Sequence, residues 1–197
     1  MIIVDMEATG TEPHVHSLLS IGAVDFDNPK NQFYEECRMW DGARMIDEAF
    51  EINGFTKESA VDPKKQTEKE LVEHFLVWVE TCKEHTISGQ NPSSDRDFIK
   101  YACMRAGINW PLAYRVIDLH SVCFSHQIQK GITPVTKNKH SALNLEAILQ
   151  YVGITEGQPK PHNGLTDAIL EAECFSRLFY NKSLFDQFNK YPVAFNV

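Results

Sequence analysis

Asp5 and Glu7 follow the apolar run Ile2-Ile3-Val4 and place two carboxylates two residues apart. A short run of β-favouring residues ending in an acid reads as a buried strand that delivers polar groups to its end. Residues two apart on a strand project from the same face, so both carboxylates would face one way and Met6 the other. Like charges this close repel unless a cation lies between them, and a hard divalent ion such as Mg²⁺ favours such oxygen ligands. A D-x-E pair also fits a solvated acidic turn, so its meaning depends on the elements around it.

Those elements can be read from the hydrophobic pattern. Two further strand-like runs, Leu18 to Phe26 and Gln32 to Trp40, are separated by the turn-rich Asp27-Asn28-Pro29-Lys30 and suggest an antiparallel meander. Thr67 to Lys83 carries Leu71, Phe75, Trp78, Val79 and Cys82 at helical spacing, and Thr67 with Glu70 forms a capping-box signature. A short strand is expected at His85 to Gly89, a helix at Asp95 to Ala106 stopped by Gly107, and another strand at Arg115 to Leu119. Leu143 to Val152 and Thr166 to Phe179 read as amphipathic helices. The polar stretches Gln129 to His140 and Thr155 to Pro161 read as loops. Three early strands followed by alternating helices and strands point to an α/β fold with a sheet of mixed direction.

A chain of 197 residues with 43% hydrophobic content can bury one core, so residues 1–197 are expected to form a single domain. Its apolar runs are far shorter than the ~20 residues of a membrane span, and Met-Ile-Ile-Val-Asp is not a charged leader, so a cytoplasmic protein without a membrane partner is expected. Cys37, Cys82, Cys103, Cys123 and Cys174 are odd in number and form no CxxC pair, which argues against disulfides or a zinc site. The formal charge of −8 argues against a protein that coats nucleic acid by bulk attraction to phosphate.

Three motifs in order carry a resemblance. Ile2-Ile3-Val4-Asp5-Met6-Glu7-Ala8-Thr9-Gly10 resembles the first motif of the DEDDh 3′-to-5′ exonuclease superfamily, which includes ribonuclease T, oligoribonuclease and the proofreading subunit of polymerase III. Ser20-Ile21-Gly22-Ala23-Val24 is similar to that family's second strand, and Gln90 to Ile99 is similar to its second motif. His162-Asn163-Gly164-Leu165-Thr166-Asp167-Ala168 looks like the third motif, H-x-A-x-x-D. Ser94 stands where a Phe is usual, and Gly164 where an Ala is usual. The first departure leaves Asp95 and Asp97 both open as the second-motif acid; Asp95 is chosen for its distance to Phe98-Ile99, with Asp97 as a helix-start charge.

The resemblance implies a ribonuclease H-like mixed β-sheet of about five strands flanked by helices. It implies that Asp5, Glu7, Asp95 and Asp167 hold two Mg²⁺, with Mn²⁺ able to substitute, and that His162 is the general base. Four carboxylates from three stretches suit two ions about 3.5 to 4 Å apart, which bracket the attacking water and the departing oxygen of an in-line displacement. An imidazole neutral near pH 7 suits proton removal from that water. His162 lies five residues before Asp167, ~140° around a continuous helix, so the helix must begin near Gly164 or Leu165. Ala8, Thr9, Gly10 and Asn91 are the implied contacts to the 3′-terminal nucleotide.

The expected activity is release of nucleoside 5′-monophosphates from the 3′ end of single-stranded DNA or RNA, with a homodimer compatible with some relatives. Bound cations would supply the local positive charge that the chain lacks overall. The competing classes are a non-catalytic nucleic-acid-binding module and a small-molecule phosphodiesterase on the same fold. Trp78 reads as core, and the basic stretch Lys130, Lys137, Lys139 and His140 as a solvated loop.

Overall fold

Apolar residues at both even and odd positions of the first strand send side chains into two separate cores, which requires a sheet covered on both faces. The computed structural model describes residues 1–155 and 163–195. Strands β1 (Ile2–Ala8), β2 (Leu18–Asp25) and β3 (Gln32–Glu36) form the expected antiparallel meander. Strands β4 (Ile87–Gly89) and β5 (Ile117–Asp118) add to it in parallel, giving the order β3-β2-β1-β4-β5. Ile2 and Val4 enter a core with Phe75 and Phe98, whereas Ile3 enters a second core with Ala168 and Phe175.

Short helices α1 (Asp47–Asn53) and α2 (Lys57–Ala60) follow the meander. Helices α3 (Glu68–Val79) and α4 (Ser93–Arg105) cover the first face. Helices α5 (Leu119–Gln129), α6 (Leu145–Tyr151) and α7 (Gly164–Tyr180) cover the second. The capping box expected at Thr67 and Glu70 is present, and Trp78 packs against the core beside Phe33 and Phe75. All five cysteines are free and buried. No helix among the described residues is long and apolar enough to cross a membrane.

Some boundaries differ from the sequence expectation. Strand β3 ends at Glu36 rather than Trp40, because Arg38 and Met39 turn their N–H groups to Gln66 and Ala60 instead of to β2. Helix α5 is absent from the expected set, since its apolar residues follow no clear helical stripe; it is started by Asp118, whose side chain accepts from the N–H groups of His120 and Ser121. The stretch from Gln129 to His140, which reads as loop in the sequence, contains most of a hairpin, β6 (Thr136–Lys137) against β7 (His140–Ser141). The Thr155 to Pro161 loop lies outside the described residues apart from Thr155.

Helix α7 lies against β1 and β2 because two glycines meet there. A Cβ on Gly22 would overlap the backbone of Gly164 and Leu165, and one on Gly164 would stand 2.8 Å from the carbonyl oxygen of Asp5. Only glycine permits this backbone approach, and it brings the first turn of α7 onto the strand that carries Asp5 and Glu7. The Gly164 that departs from the family's alanine thus has a packing reason.

Candidate functional site

Asp5 faces the second core, like Ile3, while Met6 packs against the first, so the pleat orients Asp5 and Glu7 toward α7. Asp167 sits in the first turn of α7, which is capped by the Asn163 side chain accepting from the Thr166 N–H. Carboxylate oxygens of Asp5, Glu7 and Asp167 lie within 4.8 Å of one another. Asp95 reaches the same strand end from α4: its Oδ1 accepts a 3.2 Å hydrogen bond from the Met6 N–H, and its side chain is buried. It stands in the first turn of α4, whereas Asp97 is paired with Arg96. Asp97 is therefore not the helix-start charge; Asp95 occupies that role and also approaches β1.

The electrostatics are those of a site built for positive charge. Burial first, and then the charges of Glu171, Asp95, Glu7 and Asp167, hold the Asp5 carboxyl well above the ordinary range. Glu7 is pushed up to about 8 by burial and by Asp167 and Asp95. Burial raises Asp95 to about 7, against the lowering effect of its backbone hydrogen bonds. Among the described residues, the charges that act most on Asp5 and Glu7 are carboxylates. Metal-free, the cluster resists ionisation; a divalent cation would supply the missing counter-charge.

Glu171 is the residue that motif reasoning missed. It lies one turn beyond Asp167 on α7, is 2% exposed, and its Oε2 has no hydrogen-bond partner among the described residues. Burial and then the charge of Asp95 raise its carboxyl well above normal, while the backbone of Gln90 opposes this by hydrogen bonding. An acid four residues after Asp167, within a helix whose neighbouring positions are apolar, was the available signal. Asp118, at the end of β5, is a second missed acid: it accepts from the Asn91 N–H and acts electrostatically on Glu171.

The residues expected to meet a nucleotide fall into two groups. Ala8 and Thr9 are buried; the Thr9 hydroxyl donates to the Arg44 carbonyl and accepts from the Ser17 N–H, and the Ala8 carbonyl accepts from the Asn53 side chain. The space where a Gly10 Cβ would stand is taken by the His16 ring. These bonds fix the loop after β1. Asn91 is exposed, with a left-handed φ of 56°, on the other flank of the acids. A cleft of about 350 Å³ lined by Tyr34, Asn53, Phe55, Lys65 and Asn163 lies beside the first group. His162 lies outside the described residues, immediately before Asn163.

The exonuclease family of the ribonuclease T type matches residues 2–175. No curated protein matches the chain. Among solved structures it is similar to cell-death related nuclease 4 (CRN-4), with a TM-score of 0.71 and 15% identity over 93% of this chain and 64% of that one. It is similar to E. coli Exonuclease I in complex with a dA16 oligonucleotide, with a TM-score of 0.71 and 18% identity over 95% of this chain and 42% of that one. The nuclease domain of 3′hExo, a DEDDh family member bound to rAMP, aligns with a TM-score of 0.69 and 17% identity over 93% of both chains. This chain spans less than two thirds of the first two structures. At such identities the likeness concerns the fold, here a ribonuclease H-like mixed sheet flanked by helices.

Proposed function

From the premise that the chain belongs to the exonuclease family, within the DEDDh superfamily, we propose that it hydrolyses single-stranded DNA or RNA from the 3′ end. The products are nucleoside 5′-monophosphates. The observation that carries this reading is the meeting of Asp5, Glu7 and Asp167 within 4.8 Å, with Asp95 bonded to the same strand end. The donor set is all oxygen, which fits hard divalent cations better than thiolate- or imidazole-seeking ones.

Asp5, Glu7, Asp95 and Asp167 would hold two Mg²⁺, or Mn²⁺ in their place. When bound, the ions supply Lewis acidity and charge neutralisation at the phosphoryl group. The chain's own residues do the positioning. The bonds of Thr9 and Asn53 hold the loop after β1, so that the buried Ala8, Thr9 and Gly10 fix the backbone that underlies the terminal nucleotide, and Asn91 stands on the opposite flank. His162 takes the proton from the attacking water, and its place in the chain immediately before the α7 cap supports this role.

The deciding experiment is a panel of 3′-labelled and 5′-labelled single- and double-stranded DNA and RNA, with Mg²⁺, Mn²⁺ and chelator. A divalent-dependent release of mononucleotides from the 3′ end is expected. Internal cuts, release from the 5′ end, or full activity in chelator would refute it. In the same panel His162→Ala should slow turnover by roughly 10²- to 10⁴-fold with metal binding retained; a loss of metal affinity instead would make His162 a ligand.

A further inference from the structure

The exposed hairpin beyond the acids gathers positive charge. Residues 119–145 contain Lys130, Lys137 and Lys139 and three histidines, and none of the chain's 27 acids. The middle of that stretch folds into β6 and β7, joined by Asn138 and Lys139 with φ of 53° and 66°. Two consecutive left-handed residues make the tight turn that matches strand twist. A lysine is an uncommon choice for such a position.

Lys137 and His140 are direct cross-strand partners in this hairpin. Side chains of such a pair leave the sheet on the same side with Cβ atoms about 5 Å apart, so two nitrogen-bearing groups are directed at one place. That place is a cleft of about 600 Å³, lined also by Asn91, His120, Ser141 and Asn144, with no acidic side chain among the described residues that line it. His120 Nε2 and Ser141 Oγ lie 2.7 Å apart and tie the start of α5 to the hairpin.

The cleft also borders the acidic site. Gly89 and Gln90 join the two: Glu171 Oε2 stands 2.9 Å from where a Gly89 Cβ would be, and the Gln90 side-chain amide donates to the Leu143 carbonyl 2.9 Å away on the cleft wall. A strand with its 3′ end at Asp5 and Glu7 must carry its remaining phosphates away over a protein of net charge −8. Like-charge repulsion penalises most routes, whereas this rim offers donors and positive charge beside the site.

We propose that the cleft between the β6–β7 hairpin and the start of α5 is a phosphodiester-backbone subsite that holds the substrate strand upstream of the residue being removed. The assignment rests on the nuclease reading and adds the path of the strand. Lys137 makes the charged contact within the cleft, Lys139 in the exposed turn adds positive charge at its rim, and Ser141 and Asn144 contribute neutral polar contacts.

The test compares the wild type with the Lys137→Ala/Lys139→Ala double variant on a dinucleotide and on a single-stranded 12-mer. On the dinucleotide kcat/KM should stay within about twofold. On the 12-mer KM should rise about tenfold at low salt, and the slope of log affinity against log salt should shrink by roughly one per lysine. Lys137→Arg/Lys139→Arg should restore both. An unchanged KM and salt slope on the 12-mer overturns the subsite, as does an equal loss on the dinucleotide. Should the wild type cleave neither substrate, the nuclease reading fails separately. Anisotropy of the labelled 12-mer with Ca²⁺ then still decides the cleft: weaker binding by the double variant supports it, and equal or absent binding overturns it.

Discussion

The acid-bearing end of β1 and the hairpin on the other side of Gln90 are opposites in charge and in construction. At β1, carboxylates are buried among one another and held by backbone in close contact: Met6 N–H on Asp95, and Gly22 against Gly164 and Leu165. At the hairpin, Lys137, Lys139 and His140 are exposed on two short strands that pair only with each other. The first region must hold atoms to within fractions of an ångström for chemistry; the second needs only to present charge. Substitutions should therefore have large, position-specific effects in the first and small, salt-dependent effects in the second.

The strongest contrast comes from Asp5→Asn. Removing one negative ligand from the cluster while preserving its shape should lower turnover by at least about 10³-fold. The thermal unfolding midpoint in chelator should not fall, because the carboxyl it replaces is disfavoured as an anion. Assays across a Mg²⁺ titration check this. Activity restored to the wild-type level at high Mg²⁺ would mean that Asp5 tunes affinity alone, and the contrast with the hairpin lysines would narrow to one of degree.

Gly22→Ala is the next largest effect. The added methyl meets the backbone of Gly164 and Leu165 rather than a side chain that can swing aside. Overpacking in a filled interior typically costs 1–3 kcal/mol, and a clash with helix backbone belongs at or above about 3 kcal/mol. Displacement of α7 also moves Asp167 away from Asp5, so Mg²⁺ affinity should fall with stability. Chemical denaturation and calorimetric metal titration measure the two. Wild-type values for both would show that α7 can move without disturbing the carboxylates.

These two regions also differ in how far the sequence revealed them. The acids on β1, α4 and α7 were legible because strand and helix periodicity fix which way a side chain points, and motif spacing tied three distant stretches together. Asp95 is preferred over Asp97 because its distance to Phe98-Ile99 fits the family motif; in the structure Asp97 pairs with Arg96, and Asp95 accepts from the Met6 N–H. Glu171 was hidden because its neighbours in the site come from β1 and α4, contacts that no local pattern encodes. Helix α5 was hidden because its apolar residues are scattered around its circumference, and its start is marked only by the Asp118 cap. The hairpin reads as loop in the sequence because strands of two residues are too short to show alternation. Its basic residues became informative only when folding set Lys137 opposite His140 and beside Asn91.

The smallest of these effects follows from pH. Glu7 rises from 4.5 to about 8 on folding and Asp95 from 3.8 to about 7, both chiefly through burial, and Asp5 and Glu171 move in the same direction. A carboxyl whose folded value is raised binds its proton more tightly in the native state. Its stabilising contribution is complete below the unfolded value and is lost as pH climbs through the folded one. In chelator, stability should therefore decline between about pH 4 and pH 8, by roughly 1–3 kcal/mol once mutual coupling among the acids is allowed for. Divalent ions bind the ionised form, so Mg²⁺ should raise the unfolding midpoint more at pH 8 than at pH 5.5. Hairpin substitutions should leave both trends intact, because those side chains are exposed. A Mg²⁺-induced rise that is equal at the two pH values would mean that the acids are already ionised without metal, and the buried negative floor would lose its distinction from the exposed positive rim.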